Sequence, residues 1–157
     1  MKIFRVLILS VLLCLEMYSS SFNVTDIEKN RINIVAFVTS WCPVCSDVTN
    51  FLEKFANQNK DLKITLVFVD EDNQTLMRNE SNINVKQITY LESQKFGVDK
   101  SVPYILVFDK ELKVIKKYNS FNELLLTKLV KNLQQGLYEN GTLPPEQRID
   151  LWQKNRF

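Results

Sequence analysis

Two cysteines separated by two residues are the part of this chain best suited to chemistry. Cys42 and Cys45 follow an apolar, β-branched run that ends at Val38, and helical periodicity begins directly after them. A cysteine pair at the junction of a strand and a helix N-terminus is typical of reversible disulfide chemistry. The thiolate is the reactive form, and the free N–H groups and the dipole of a helix N-terminus stabilise its charge. The pair is therefore the predicted redox centre.

The positions of the two cysteines predict different roles. Cys42 stands just before the helix and is the expected exposed nucleophile, whereas Cys45 lies one turn inside and is the expected buried resolving thiol. Cys42 would attack a substrate disulfide, and Cys45 would resolve the mixed disulfide. In the reverse direction, a Cys42–Cys45 disulfide would oxidise a substrate dithiol. Val44 offers the thiolate no charge and no hydrogen-bond donor, which favours a moderate or reducing potential, whereas a histidine at its place would favour a strong oxidant.

Two other uses of the pair stay open from the residues alone. Zinc sites usually have four Cys or His ligands, and the chain has three cysteines and no histidine, which leaves a zinc ion shared between two chains. A structural disulfide would close too short a loop to stabilise the fold by much. No metal and no cofactor are expected. The lack of histidine also excludes histidine-based acid–base catalysis.

The first 21 residues have the layout of a secretory signal peptide. Lys2 and Arg5 precede an apolar run at 6–15, and serines at 19–21 precede the expected cleavage point. A transmembrane helix needs about 20 apolar residues, more than this run supplies. An uncleaved membrane anchor and a lipoprotein modified at Cys14 are the alternatives. Cleavage would remove Cys14, and an exported protein with a single close pair is not a disulfide-stapled scaffold.

Length and composition predict one globular domain. The chain has 157 residues, of which 45% are hydrophobic, and a net charge of +2 gives no reason to expect a nucleic-acid partner. We expect the signal peptide at 1–21, a single domain at 22–136 and a C-terminal tail at 137–157. In the tail, Ile149 and Trp152 would share one face of a short helix packed on the domain, with partner docking as the alternative.

The order of the predicted elements indicates an α/β fold. Strands at 32–38 and 62–69 with a helix at 44–57 between them form a βαβ unit, whose strands should be parallel. A helix near 73–80, an extended segment or strand at 83–88 and a short helix at 91–96 ending at Gly97 follow. Strands at 104–108 and 114–118 should form an antiparallel hairpin. Ser120 is expected to cap a last helix that ends at Gly136.

Pro103 stands at the start of the hairpin, where a proline cannot donate to a ladder. A cis bond before it would turn the backbone so that Val102 faces the cysteines and is free to pair with an incoming peptide. Most X–Pro bonds are trans, so the proline alone does not decide this.

Together these motifs resemble the thioredoxin fold over roughly residues 32–133. The resemblance rests on Trp41-Cys42-Pro43-Val44-Cys45 after an apolar strand, then Phe96-Gly97-Val98 and Val102-Pro103-Tyr104 before another. It implies a three-layer α/β/α sandwich with a mixed sheet, made of a parallel βαβ half and an antiparallel hairpin. It also implies that Cys42 is the nucleophile, Cys45 the resolving thiol and Pro103 the cis-proline. Trp41, Val102 and Pro103 are the implied substrate-binding residues.

The long link between the second strand and Pro103 is similar to that of the exported TlpA/ResA/DsbE-like proteins. In that group an acidic residue after the strand lies near the active site, and Glu71 occupies the matching place as a possible acid–base group, with a solvated loop carboxylate as the alternative. Ala36 stands where cytosolic thioredoxins have a buried aspartate, so that proton acceptor is missing. A DsbA-like oxidase would carry a large helical insertion, for which the region after Val69 is too short.

The resemblance implies an enzyme, a protein thiol-disulfide oxidoreductase exported to the bacterial periplasm. It would reduce or exchange disulfides in exported client proteins and receive electrons from a membrane thiol-disulfide donor. A DsbA-like oxidase or isomerase and a non-catalytic chaperone or interaction module are the alternatives. A eukaryotic secretory protein is a further one, for which the chain has four Asn-X-Ser/Thr sites, at Asn23, Asn73, Asn79 and Asn140.

Overall fold

The strand that leads to the cysteine pair lies at the centre of a five-stranded sheet. The structure is a computed structural model and describes residues 22–70, 83–99 and 101–137. Short 3-10 turns lie at Val24–Asp26 and Gln94–Phe96. The helices and strands of the described residues are β1 (Ile32–Val38), α1 (Pro43–Gln58), β2 (Leu62–Phe68), β3 (Asn84–Gln87), α2 (Tyr90–Ser93), β4 (Tyr104–Phe108), β5 (Val114–Tyr118) and α3 (Glu123–Gln134).

The sheet is mixed, and its strand order is β3-β2-β1-β4-β5. β1 runs parallel to β2 from the pair Ile32–Leu62 to the pair Val38–Phe68, as expected for strands joined through a helix. β2 is also parallel to β3. β4 is antiparallel to both β1 and β5. The predicted parallel βαβ half and antiparallel hairpin are both confirmed.

Both faces of the sheet are covered, which explains why all seven residues of β1 are apolar or buried. Successive side chains of a strand point to opposite faces. Ala36 and Val38 face a core cluster that includes residues of α1 and α3. Val35 and Phe37 face a second cluster, in which Phe22 lies. The predicted three-layer α/β/α arrangement is confirmed.

Helix α1 carries one buried face, and its first turn holds the cysteine pair. Cys42 is the N-cap residue, and Pro43 follows in the first turn, where its missing N–H leaves no hydrogen bond unmade. The residues buried by α1 recur at helical spacing: Cys45, Val48, Thr49, Leu52, Phe55 and Ala56. Burial of this face fixes the rotation of the helix, and therefore the direction in which its first turn presents the sulfurs.

The structure tests two predicted helix boundaries, one at Gly97 and one at Ser120. Gly97 ends the short helical segment with a φ of +84°, as predicted. Ser120 was the wrong cap for the last helix, because α3 begins at Glu123 and the side chain of Asn122 accepts the N–H of Leu125 at 3.0 Å. A cap must stand directly before the first helical residue to reach this N–H, and Ser120 lies two positions too early.

Several predictions fall on residues that the structure does not describe. They are the signal peptide at 1–21 with Cys14, the helix near 73–80 with Glu71, and nearly all of the tail at 137–157. Among the described residues, no helix is both long enough and apolar enough to cross a membrane.

Candidate functional site

The Cys42 sulfur is held at the N-terminus of α1. As the N-cap residue, Cys42 has an extended backbone, and its Sγ accepts the N–H of Cys45 at 3.3 Å. The sulfur therefore satisfies one of the N–H groups that an α-helix leaves without a partner in its first turn. A negative charge on this sulfur is favoured by that N–H and by the positive end of the helix dipole.

Cys42 is less exposed than predicted. Its exposed fraction is 8%, so the expectation of an exposed nucleophile is wrong, although Cys45 is more deeply buried at 1%. The segment that precedes β4 contributes to this burial, because the Cys42 thiol donates a hydrogen bond to the carbonyl oxygen of Val102 at an Sγ–O distance of 3.9 Å. That contact joins residues 60 positions apart, which no local pattern indicates.

The Val102–Pro103 segment lies beside the cysteines, as predicted. The peptide bond between these residues is cis. Its position follows from the sheet, because Tyr104 pairs with Phe37 in the antiparallel β1–β4 ladder and Val102 lies two residues beyond that pair. Whether Val102 and Pro103 bind a substrate stays a prediction.

Two apolar side chains next to Cys42 face solvent. Trp41 is 73% exposed and Val44 is 49% exposed, so both differ from the buried apolar residues of β1 and α1. Large exposed apolar groups clustered on a surface often mark binding sites. Here they flank the sulfur on either side in the sequence, and neither supplies a charge or a donor beyond the indole N–H of Trp41.

The environment of Cys45 disfavours its ionisation. Burial raises the pKa of the Cys45 thiol to about 12, the Cys42 thiol adds to the rise, and the backbone N–H and hydroxyl of Thr39 oppose it. Ala36 is fully buried in the same core cluster as Cys45. The Ala36 side chain is a methyl group and cannot accept a proton from Cys45.

Three polar residues beside the cysteines were missed by the sequence analysis. The Asp70 carboxylate accepts the N–H of Ser40 at 2.7 Å and its hydroxyl at 2.5 Å, through Oδ2 in both cases. Asp70 Oδ1 and Thr39 Oγ1 are buried without a hydrogen-bond partner. Parallel strands end at the same edge of a sheet, so the residues that follow β1 and β2 lie close together. This signal was present in the sequence, and it could have indicated Asp70 in addition to Glu71.

The chemistry available at this site is that of two thiols. Within residues 22–70, 83–99 and 101–137, no group of three or more Cys, His, Asp or Glu side chains is placed to hold a metal ion. Cys42 and Cys45 are not joined by a disulfide bond in this structure. The Cys42 sulfur sits at a helix N-terminus and the Cys45 sulfur lies one turn further along the helix, an order that suits attack by the first and resolution by the second.

The sequence also matches a known protein family. Residues 14–143 match the family model described as the AhpC/TSA family. The chain belongs to the AhpC/TSA family. No curated protein matches the sequence at a significant level.

Solved structures share the fold at low sequence identity. A Chlorobium tepidum protein described as the thiol:disulfide interchange protein DsbE is 17% identical with a TM-score of 0.62, over 74% of this chain and 92% of that one. StoA of Bacillus subtilis is 16% identical with a TM-score of 0.54, over 66% and 84%. A secreted Mycobacterium tuberculosis disulfide oxidoreductase homologous to E. coli DsbE is 13% identical with a TM-score of 0.59, over 73% and 94%. These similarities confirm the predicted thioredoxin-like fold.

Proposed function

We propose that the protein is an exported thiol-disulfide oxidoreductase that reduces or exchanges disulfides in other exported proteins. The observation that carries the proposal is the position of the Cys42 sulfur. It accepts the Cys45 N–H at the start of α1 and lies 3.9 Å from the Val102 carbonyl oxygen. The sulfur that we propose as the nucleophile thus lies next to the backbone of Val102.

The proposed reaction has two exchange steps. The Cys42 thiolate attacks one sulfur of a client disulfide, and the other client sulfur leaves as a thiolate that takes a proton from water. The Cys45 thiolate then attacks Cys42 Sγ and forms the Cys42–Cys45 disulfide, and the second client sulfur leaves in the same way. Two electrons pass from the protein to the client.

The client would dock on the apolar rim around Cys42. The exposed side chains of Trp41 and Val44 supply apolar contact area, and an extended client segment would pair with the backbone at Val102 and Pro103. Glu71, which follows Asp70 directly, is the proposed acid–base group, a role that rests on the family resemblance alone.

Export and the direction of electron flow have separate support. The signal-like segment at 1–21 favours export, and similar structures include a secreted protein of Mycobacterium tuberculosis and an exposed lipoprotein of Streptococcus pneumoniae. Val44 gives the Cys42 thiolate no hydrogen-bond donor, which favours a reductant over a strong oxidant. A reductant of this kind needs a continuous electron supply, for which a membrane thiol-disulfide donor is proposed.

Trapping of clients tests the proposal. A Cys45→Ser variant cannot resolve the mixed disulfide, so we expect covalent, reductant-sensitive adducts of exported proteins on Cys42 in cells that express it. A Cys42→Ser/Cys45→Ser variant is the matched control and should carry none. Adducts that are absent from the Cys45→Ser protein, or that persist in the double variant, would contradict disulfide exchange at Cys42.

A further inference from the structure

Trp41 is a large surface side chain that packing does not hold in place. It is 73% exposed, so little of its ring lies against the protein. Tryptophan is among the residues that contribute most to binding at the centre of an interface. A mobile surface ring must be ordered when a partner binds, which weakens affinity, whereas a ring already held in one direction avoids that loss. The backbone around Trp41 therefore decides how well its ring can dock a client.

Both sequence neighbours of Trp41 are held by hydrogen bonds. On one side, the Asp70 carboxylate accepts the N–H of Ser40 at 2.7 Å and its hydroxyl at 2.5 Å, and both bonds end on Oδ2. On the other side, the Cys42 sulfur accepts the N–H of Cys45 at 3.3 Å, which fixes residue 42 at the helix N-terminus. Ser40 is itself exposed, so the bonds to Asp70, rather than burial, hold this end of the turn.

Asp70 is fixed in turn at the edge of the sheet. The residue before it, Val69, donates its N–H to the Val38 carbonyl oxygen at 3.0 Å, which extends the β1–β2 pairing past the strand ends. The Asp70 carbonyl oxygen accepts the side-chain amide of Gln87, the last residue of β3, at 2.6 Å. Groups on rigid elements position their partners more precisely than groups on loops. Asp70 therefore ties the turn that carries Trp41 to the sheet.

We propose that Asp70 is a positioning residue for client docking: by fixing the backbone at Ser40, it holds the Trp41 ring in one direction beside Cys42. The inference rests on the proposed function, in which the client docks on the apolar rim around Cys42. Asp70 takes no part in the exchange of disulfides itself. Reaction with a disulfide too small to cover Trp41 should therefore not depend on Asp70, whereas reaction with a protein client should.

Three substitutions separate the hydrogen bonds from the charge. Asp70→Ala removes the charge and both hydrogen bonds to Ser40. Asp70→Asn also removes the charge, but its carbonyl oxygen can accept both bonds in the place of Oδ2. Its NH2 group then takes the place of Oδ1, which has no partner among the described residues. A difference between these two variants reports the hydrogen bonds alone. Ser40→Ala loses the hydroxyl bond and keeps the N–H bond.

Time-resolved fluorescence anisotropy measures the mobility of Trp41 directly. The chain has two tryptophans, so a Trp152→Phe background leaves Trp41 as the single emitter. Local side-chain and loop motion occurs within nanoseconds and appears as a fast decay of the anisotropy. We expect Asp70→Ala to enlarge the amplitude of this decay, Asp70→Asn to match the wild type, and Ser40→Ala to fall between them. Equal amplitudes in the wild type and Asp70→Ala would overturn the inference.

Single-turnover kinetics of the reduced protein measure the consequence for docking. Insulin serves as a protein with disulfides, and dithiodipyridine serves as a small uncharged disulfide. The dependence of the rate on insulin concentration gives a half-saturation concentration and a limiting rate. We expect the half-saturation concentration to be about fivefold higher in Asp70→Ala than in Asp70→Asn, an effect typical of ordering one surface side chain on binding. The limiting rate and the rate with dithiodipyridine should be equal in the two variants.

The outcomes distinguish this inference from the proposed function. Equal half-saturation concentrations in the two Asp70 variants would overturn the inference and leave disulfide exchange in place. A wild-type protein that reacts with neither insulin nor dithiodipyridine would overturn the proposed function, and docking with it. A loss of stability alone would change the dithiodipyridine rate as well, and would thus contradict a positioning role. Ser40→Ala, which should raise the half-saturation concentration less, provides the test if Asp70→Ala does not fold.

Discussion

The groups that surround the Cys42 sulfur differ from those that surround the Cys45 sulfur. The Cys42 sulfur accepts a backbone N–H at a helix N-terminus, which favours its thiolate. Cys45 is buried among apolar residues, and burial raises the pKa of its thiol to about 12. In the proposed exchange, the first step would use the sulfur at the helix N-terminus, and the second step would depend on deprotonating a thiol that burial holds neutral.

The raised pKa of Cys45 predicts a loss of stability in alkali for the reduced protein. In an unfolded chain a cysteine ionises near a pKa of about 8.5, whereas burial raises the pKa of folded Cys45 to about 12. Between these values the unfolded state has lost the proton and the native state keeps it, so the free energy of unfolding falls as pH rises. One proton gives a slope of at most about 1.4 kcal/mol per pH unit.

Urea denaturation of the reduced protein and of a Cys45→Ala variant, at several pH values above about 8.5, measures this slope. The variant is the control, because the lysines and tyrosines that also titrate in alkali are common to both proteins. The difference between the two unfolding free energies should shrink steadily with pH. A difference that is independent of pH would contradict the raised pKa of Cys45.

At the scale of elements, two helical segments end at a glycine. The two glycines have similar backbone conformations but different surroundings. Gly97 has a φ of +84° and Gly136 a φ of +68°, a region that side chains other than glycine's rarely adopt. A Cβ at residue 97 would lie 3.1 Å from the hydroxyl oxygen of Tyr104, whereas one at residue 136 would meet nothing within 4 Å. Tyr104 opens β4 directly after Pro103, so the contact at Gly97 adjoins the Val102–Pro103 segment.

Alanine at the two glycines separates backbone strain from this contact. Gly136→Ala should lower the free energy of unfolding by about 1 kcal/mol, the usual cost of a left-handed backbone for a residue with a Cβ. Gly97→Ala should cost about 1 kcal/mol more, because the Tyr104 ring must also shift. Urea unfolding of both variants measures the difference. Equal losses would show that Tyr104 moves aside freely, contrary to this prediction.

At the scale of the whole molecule, local sequence patterns predicted the individual strands and helices, whereas the pairing of the strands determines which residues surround the cysteine pair. The β-branched run of β1 is recognisable because a strand covered on both faces needs apolar side chains in every direction. The partial burial of Cys42 was not predictable in this way, since its cover arrives with Val102, 60 positions later in the chain. A local pattern records a residue's own periodicity and contains no information about which distant segment will lie on it.

The same reasoning explains the polar residues that were missed. Thr39 and Asp70 each follow a strand, and each is ordinary as a loop residue in the sequence. Only the parallel pairing of β1 and β2, which ends at the pair Val38–Phe68, brings the two strand ends together. Parallel strands at 32–38 and 62–69 already imply that residues 39 and 70 lie close together. The predicted acid–base group was instead Glu71, which rests on the family resemblance and lies outside the described residues.

The last prediction concerns the coupling of folding to the redox state of the whole protein. A strong oxidant such as DsbA, with a reduction potential of about −120 mV, stabilises its reduced form, whereas thioredoxin is at about −270 mV. In this protein burial raises the pKa of Cys45, which disfavours the Cys45 thiolate of the reduced form, and the Val44 side chain supplies no donor to Cys42. We expect a reduction potential closer to that of thioredoxin, and an oxidised form that is more resistant to urea than the reduced form.

Equilibration with dithiothreitol buffers measures the potential. Each 30 mV between the potentials of the folded and the unfolded dithiol should correspond to about 1.4 kcal/mol in the difference between the unfolding free energies of the oxidised and reduced forms. Val44→His, which adds a donor beside Cys42, should raise the potential. A wild-type value near that of DsbA, with the reduced form the more stable, would contradict the proposed direction of electron flow.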